Sequence, residues 1–436
     1  MSDSVAPSQT PQSAQIVVSS MRILVVQETD WIERNPILHH KMLESLALAG
    51  DEVLVLDYDI LWRRKGRRPV VQGRREIHDS VKFFAGSGLV VIRPAMLRIP
   101  GLARPTWLAM STIELLAAFR RFKPDVVVAY GISNALVARA FAILFRVPFV
   151  FHSLDVLHAL AEPSFLAPVA RIVEHTVLRS ADTVIVVHRA LLDYLHALGV
   201  RRSRTVLIMN GFSLREPIPT CSIQLRRQLS IPDDVVMILF VGWMYTHSGL
   251  REVSRRLVEE DRFGRYRLVV AGDGDLLAEL TALSRKSVHG DRLILLGKLP
   301  VSQIPDLIGA ADVCLFSAVP TLALKHVVPS KVDEYLELLR PVVATRLPGM
   351  LRELKDVESI IWIDAPDDAL ENLDTTLGGQ SDARSFLRDL GRSARHYGEG
   401  RETWAIVTAR FREALADSRA RYRGRHVELP AVGRQD

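Results

Sequence analysis

The sequence predicts an α/β protein of two doubly wound parallel-sheet domains facing each other across a cleft, and three observations carry that expectation. Short, continuously apolar runs rich in Val and Ile recur along the chain, amphipathic stretches of helical period separate them, and the rhythm halts once, near Asn210-Gly211, before resuming. Continuous rather than alternating hydrophobicity marks strands buried on both faces, and strand, helix, strand in succession builds a parallel sheet.

The first series runs RILVV (Arg22–Val26), EVLVL (Glu52–Leu56), LVVIR (Leu89–Arg93), DVVVAY (Asp125–Tyr130), PFVFH (Pro148–His152), TVIVV (Thr183–Val187) and TVLIM (Thr205–Met209). Helical spacing fills the gaps: Ile37–Leu48 sets Leu38, Met42, Leu46 and Leu48 at helical intervals, and Trp107–Phe119 carries another apolar face. Phe212–Asp234, with Pro217, Pro219 and Pro232, reads as a connection. The second series is VMILFVG (Val236–Gly242), RLVVAG (Arg267–Gly272), RLILLG (Arg292–Gly297), DVCLFS (Asp312–Ser317), PVVAT (Pro341–Thr345) and SIIWI (Ser359–Ile363). The expected organisation is a disordered leader at 1–20, an N-terminal domain at 21–211, a linker at 212–234 and a C-terminal domain at 235–400. A helix is expected at 401–418 and a basic tail at 419–436.

Composition narrows the function classes. A chain of 436 residues, 48% hydrophobic and 24% charged, has enough apolar material for two or three cores and excludes general disorder. Its 56 Lys+Arg against 50 Asp+Glu leave a net charge of +6, and the pI near 9.4 suits phosphate-bearing partners or an anionic membrane surface. Cys221 and Cys314 are the only cysteines, which excludes a disulfide framework and a cysteine-rich zinc site and fits a reducing compartment. Residues 1–20 lack the charged start and apolar core of a secretory signal. The most apolar stretch, Asn134–Phe151, is interrupted by Arg139, Arg146 and Pro148 and fails as a span of about 20 residues. The expected location is therefore cytoplasmic, with membrane association peripheral and at the inner face.

Ligands of open parallel sheets bind outside the carboxyl ends of the strands. Three glycine turns follow strands of the second half there: Val241-Gly242, Ala271-Gly272-Asp273-Gly274 and Leu296-Gly297-Lys298. Next comes Pro329-Ser330-Lys331-Val332-Asp333-Glu334-Tyr335. Pro and Ser open a helix, whose free N–H groups and positive dipole end suit a phosphate, and Lys331 adds a formal charge. Glu334 would repel phosphate at close range; a carboxylate one turn on fits two vicinal hydroxyls, as on a ribose. A sugar nucleotide presents both groups.

On these residues the run from Met21 to about Leu415 resembles the family 4 glycosyltransferases, most closely over Val206–Gly349. LIMNG resembles the family's strand and Asn-Gly element before the second domain, FVGWMYTHSGL its glycine loop, AGDGDLLAEL its Gly-x-Gly element, LILLGKLPVSQIPDLIGAADVCLFS its base-side strand and helix, and PSKVDEYLELLRPVVAT its nucleotide-gripping helix. The resemblance implies a GT-B fold of two Rossmann-like domains and a retaining enzyme that needs no cofactor and no obligatory metal. It also implies a nucleotide-diphosphate sugar on the C-terminal domain and a glycan or lipid-linked acceptor on the N-terminal one, in polysaccharide or glycoconjugate biosynthesis. The implied donor residues are Gly242, His247, Ser248, Gly249, Gly272, Gly297, Lys298, Leu299, Ser330, Lys331 and Glu334. The sequence departs from the family twice: His326 stands where an acidic residue usually precedes Glu334, and Trp243–Ser248 lacks the usual loop Arg and Lys.

In the first half, the Gln27–Pro36 loop leads to His39 and His40 at a helix start, where imidazoles could receive the diphosphate or orient an acceptor hydroxyl. A His at the position of His152 commonly lies near the donor sugar in the resembling family, which makes His152, with Asp155 beside it, the leading catalytic-region residue. The cationic run around Trp62, Arg63, Arg64, Lys65, Arg67 and Arg68, and the segment Ile92–Arg104, are candidate contacts for anionic lipid or a phosphate-linked acceptor. Asp57-Tyr58-Asp59 has the spacing of a metal-diphosphate site but sits at a strand end, and metal binding is not expected. Neither Gly-x-x-x-x-Gly-Lys-Ser/Thr nor Gly-x-Gly-x-x-Gly occurs, and the basic run lacks interleaved aromatics, so kinase, dinucleotide oxidoreductase and nucleic-acid-binding functions are not supported. Two alternatives stand beside the transferase: a nucleotide-sugar epimerase or phosphorylase on the same fold, and a catalytically weakened binding or scaffolding protein.

Overall fold

The computed structural model describes residues 20–34, 36–60, 69–161 and 164–427. The expected leader, the Trp62–Arg68 run and the end of the tail lie outside them. In the first half, β1 (Arg22–Val26), α1 (Leu38–Leu48), β2 (Glu52–Leu56), β3 (Val71–Gln72), β4 (Arg75–His78), β5 (Val90–Arg93) and β6 (Met96–Leu97) lead to α2 (Ala103–Arg121). Then come β7 (Val126–Ala129), α3 (Ser133–Leu144), β8 (Phe149–Ser153), α4 (Ala167–Ser180), β9 (Thr183–Val186), α5 (Arg189–Ala197) and β10 (Thr205–Leu207). The second half has α6 (Pro219–Gln228), β11 (Val236–Val241), α7 (Leu250–Glu259), β12 (Tyr266–Ala271), α8 (Leu277–Lys286), β13 (Leu293–Gly297), α9 (Ile304–Ala310) and β14 (Val313–Phe316). It closes with α10 (Ser330–Glu337), β15 (Val342–Thr345), α11 (Pro348–Leu354), β16 (Ile360–Ile363), α12 (Ala369–Thr376), α13 (Ala383–Arg392), α14 (Ala394–Glu399) and α15 (Trp404–Val427).

The first sheet has the order β10-β9-β8-β7-β1-β2-β5-β4 and the second β13-β12-β11-β14-β15-β16. Every pairing in them is parallel except β4 on β5. Each apolar run read from the sequence forms one of the parallel strands, buried between helical layers except at the edge strands β10 and β13, which are largely half-buried. The short REIH strand β4 and the β3–β6 pair were not expected, because two to four residues of mixed polarity carry no periodic signal.

Two boundaries differ from the sequence reading. The expected linker holds α6, which packs on α9, while Phe212 and Ile231 enter the core of the second domain. The final helix continues past 418 to Val427, so the start of the expected basic tail is ordered helix. α15 packs on α1, with Phe411 and Leu415 in the first domain's core. Three of its arginines reach carboxylates at strand starts: Arg412 pairs with buried Asp51, Arg419 with half-buried Asp125 and Arg425 with buried Asp182. The chain thus crosses between domains twice, at Asn210–Phe212 and at Arg401–Trp404. There the Phe212 N–H donates to the Glu402 carbonyl, and a Cβ on Gly211 would lie 2.6 Å from the Trp404 ring.

Candidate active site

In both sheets the chain order reverses next to the first strand, between β1 and β7 and between β11 and β14, and each reversal leaves a crevice at the strand ends. The two crevices are furnished differently. In the first domain Glu28, just beyond β1, fills the N-terminus of α3: its carboxylate accepts from the N–H groups of Ser133 and Asn134 and from the Ser133 hydroxyl, and pairs with Arg104. A carboxylate already seated on the helix dipole closes that position to a phosphate.

In the second crevice no side chain among the described residues caps the start of α7, although Glu252 lies in that helix's first turn. The α7 N-terminus begins at Gly249, whose φ of 73° and lack of a side chain are required because a Cβ would lie 1.8 Å from the Ser317 carbonyl oxygen at the end of β14. The Ser248 hydroxyl beside it is buried and has no hydrogen-bond partner. Gly272 packs against the Gly242 carbonyl, where a Cβ would come within 1.9 Å. Over this tightened turn lies Lys331, on the first turn of α10, its Nζ 4.1 Å from the Phe240 ring centroid and 3.1 Å from where a Gly242 Cβ would stand. Burial pulls the amine down to about 8, with Glu334 opposing the shift. The Glu334 side chain opens to solvent yet has protein on most sides, as a cleft wall does. That surrounding protein and the charge of Glu337 push its carboxyl up to about 7, against Lys331. Ser330 is exposed at the helix start, and His247 stacks on Tyr245 with 5.0 Å between centroids.

Across the cleft, Lys41 on α1 lies over the Trp404 ring and is within electrostatic reach of Glu337 and Glu334. Lys82 of the first domain is held down by burial and then by Lys298 of the second. Tyr194 on α5 stacks on His326, 5.1 Å between centroids, and Arg189 pairs with Glu353. His326 thus occupies the acidic position of the resembling family while bridging the domains. Sequence reasoning missed Lys41, Lys82 and Tyr194, because nothing local marks a residue that meets its partner across a cleft.

His39, His40 and His152 converge. His39 stacks between Tyr130 and His40 and reaches Gln27 at 3.1 Å, and His152 Nδ1 meets the Tyr130 hydroxyl at 3.1 Å. All three are buried, and burial keeps them neutral: it takes His40 and His152 down to about 3 and His39 well below the ordinary histidine value. His40 Nδ1 accepts from the Ile37 N–H and caps its own helix, while its buried Nε2 has no partner. His152 leaves Nε2 without a partner. Asp155 is half-buried, and burial raises its carboxyl against the charge of Arg34.

The basic segment Ile92–Arg104 is also corrected as a lipid contact. Arg93 is buried on Asp30 and Asp57, Arg98 pairs with Asp59 and Arg104 with Glu28. The same contacts engage the Asp57 and Asp59 pair. Asp333, inside the recognition helix, was not singled out from sequence. It accepts from Asn210 Nδ2 and the Tyr397 hydroxyl and pairs with Arg401, tying α10 to both interdomain crossings.

Glycine turns, a lysine and a carboxylate at the carboxyl edge of one parallel-sheet domain, facing a second such domain, define the class: a GT-B protein. Residues 40–211 match the glycosyl transferase 4-like domain and residues 236–377 the glycosyl transferases group 1 domain. The chain belongs to the family 4-like glycosyltransferases of the GT-B fold. Over 148 residues it is 26% identical to the uncharacterized glycosyltransferase MJ1607 of Methanocaldococcus jannaschii, a match covering 32% of this chain and 35% of that relative's length. Among solved structures it resembles Anabaena Alr3699/HepE in complex with UDP, with a TM-score of 0.66 and 16% identity over 91% of this chain and 100% of that one. Sucrose-phosphate synthase from Thermosynechococcus elongatus gives 0.68 and 16%, covering 92% and 100%. WaaG, a glycosyltransferase involved in lipopolysaccharide biosynthesis, gives 0.61 and 14%, covering 88% and 97%. At these identities the structural likeness is one of fold.

Proposed function

We propose that the chain is a retaining, metal-independent glycosyltransferase that moves a sugar from a nucleotide diphosphate to a glycan or lipid-linked acceptor. The observation that carries this reading is Lys331, poised over the Gly242 turn with Glu334 one helical turn on. The amine and the N–H groups at the starts of α7 and α10 supply positive potential for a diphosphate, standing in for the absent loop Arg and Lys. Glu334 accepts the ribose hydroxyls. Alr3699/HepE is described with UDP and with UDP-glucose, which favours a uridine nucleotide as the first donor to try.

For retention, the diphosphate leaves from the face that the acceptor hydroxyl attacks, and a leaving phosphate oxygen takes the hydroxyl proton. No strong protein base is then required, which agrees with three histidines held neutral by burial. His152 Nε2 serves as a sugar-positioning group. Titration of UDP, GDP and ADP into the purified protein tests the reading: one should bind, and failure of all three overturns it. Transfer from the matching sugar nucleotide, with the anomer read by proton coupling, should then give retention, whereas release of an epimerised donor would establish the epimerase alternative.

A further inference from the structure

We infer that the outer face of α3 and α4 is a docking surface for an anionic lipid bilayer. α4 buries Glu174, Val177 and Leu178 against the sheet, so at helical spacing it turns Val169 and Ile172 outward. Ile172 is 68% exposed and Phe165, just before the helix, 75%; Leu144 at the end of the neighbouring α3 is 70% exposed. Isolated exposed leucines are ordinary, but a row of large apolar side chains along one helix face is not. From Phe165 to Ile172, at about 1.5 Å per residue, the apolar row extends roughly 10 Å, and the rest of the outer face of α4 is polar and cationic.

The charge pattern selects the occupant. Among the described residues of 133–180, the exposed charged side chains are Arg146, Arg171 and Arg179. Of the acids described here, Glu174 is turned inward to hold His158 and the Leu157 and His158 N–H groups, and Asp155 is half-buried. At the Arg179 end lies an open hollow of about 420 Å³ lined by Ile172, His175, Thr176, Arg179 and Ser180, with His175 Nε2 unpartnered, which suits a phosphate headgroup. A twofold contact between copies would set arginine against arginine across the apolar stripe, whereas an anionic bilayer accepts both the stripe and its cations. The segment joining β8 to α4 leaves the sheet at the carboxyl end of β8, the strand that carries His152. Docking there would bring the cleft to a lipid-borne acceptor; that purpose rests on the transferase reading, while the docking itself does not.

The test is co-sedimentation of the full chain with phosphatidylcholine vesicles, with and without about a quarter phosphatidylglycerol. The wild type should pellet with the anionic vesicles and weakly with the neutral ones, less so in high salt. Phe165→Ser/Ile172→Ser and, separately, Arg171→Glu/Arg179→Glu should each lower the bound fraction about tenfold, with melting temperature and UDP affinity unchanged. Equal binding to both vesicle types, or wild-type binding by both variants, overturns the inference. So does a solution dimer that Phe165→Ser/Ile172→Ser dissociates. Loss of nucleotide binding by the wild type would defeat the transferase reading and leave this one standing.

Discussion

Replacing Lys331 with Met tests the donor site most sharply, because volume and burial are nearly kept while the charge goes. An amine about 4 Å from a phosphate oxygen gains about 4 kcal/mol at an effective dielectric constant near 20, before desolvation is counted. Charged hydrogen bonds retain about 1.5–3 kcal/mol net, so nucleoside diphosphate affinity should fall roughly 10–150-fold, at about 1.4 kcal/mol per decade. Nucleoside affinity should not change. Burial holds the amine at about 8, so wild-type diphosphate affinity should decline between pH 7 and 9.5. Run on a Glu334→Gln background, which removes the neighbouring titration, that decline should vanish with Lys331→Met. Stability moves the other way. The unfolded chain keeps the lysine proton to its ordinary value of 10.5 while the folded chain releases it from about 8, so stability rises with pH across that window and the cost of the buried cation is fully present below it. Lys331→Met should therefore raise the melting temperature at pH 7 while weakening the ligand. Calorimetric titration and thermal unfolding read both quantities, and wild-type UDP, GDP and ADP affinities in the variant, with the pH dependence intact, would refute the assignment.

Three further outcomes are expected. Glu334→Gln should weaken nucleoside binding and leave pyrophosphate binding alone; because the folded carboxyl titrates near 7 rather than 4.5, wild-type stability falls as pH rises through that window, and the substitution should flatten the fall in a melting series. Gly249→Ala meets the Ser317 carbonyl at 1.8 Å and adopts a positive φ, so chemical denaturation should show a loss of more than about 2 kcal/mol. His152→Ala should lower turnover without changing nucleotide affinity, and the wild-type rate should show no ionisation near 6.5 assignable to this histidine, which burial takes to about 3; a limb at 6.5 that disappears in the variant would count against a neutral positioning role.

The strands were legible because burial on both faces leaves a run of Val and Ile that needs no knowledge of neighbours. The donor helix was legible because Pro329, Ser330, Lys331 and Glu334 are contiguous, and one helical turn brings them together. Ile92–Arg104 misled for the opposite reason: a basic, apolar segment has the same composition whether its arginines meet lipid or, as Arg93 does, buried aspartates 63 and 36 positions away. The histidine pair was visible, but not that the Trp31 and Tyr130 rings would enclose it.

By itself, then, the sequence determined two parallel-sheet domains, the glycine turns and the Lys331–Glu334 face, since strand burial, turn geometry and helix spacing are local consequences of residue order. Only the tertiary structure decided which helix N-terminus stays open. Glu28 closes one through contacts 105 and 106 residues distant, while Asp333 ties the other to the interdomain crossings through Asn210, Tyr397 and Arg401. It also decided that Arg412, Arg419 and Arg425 of α15 meet carboxylates of the first domain and that Arg171 and Arg179 of α4 face outward. A charged side chain's role depends on the partner that the fold brings within a few ångströms, and that distance is not written in the spacing along the chain.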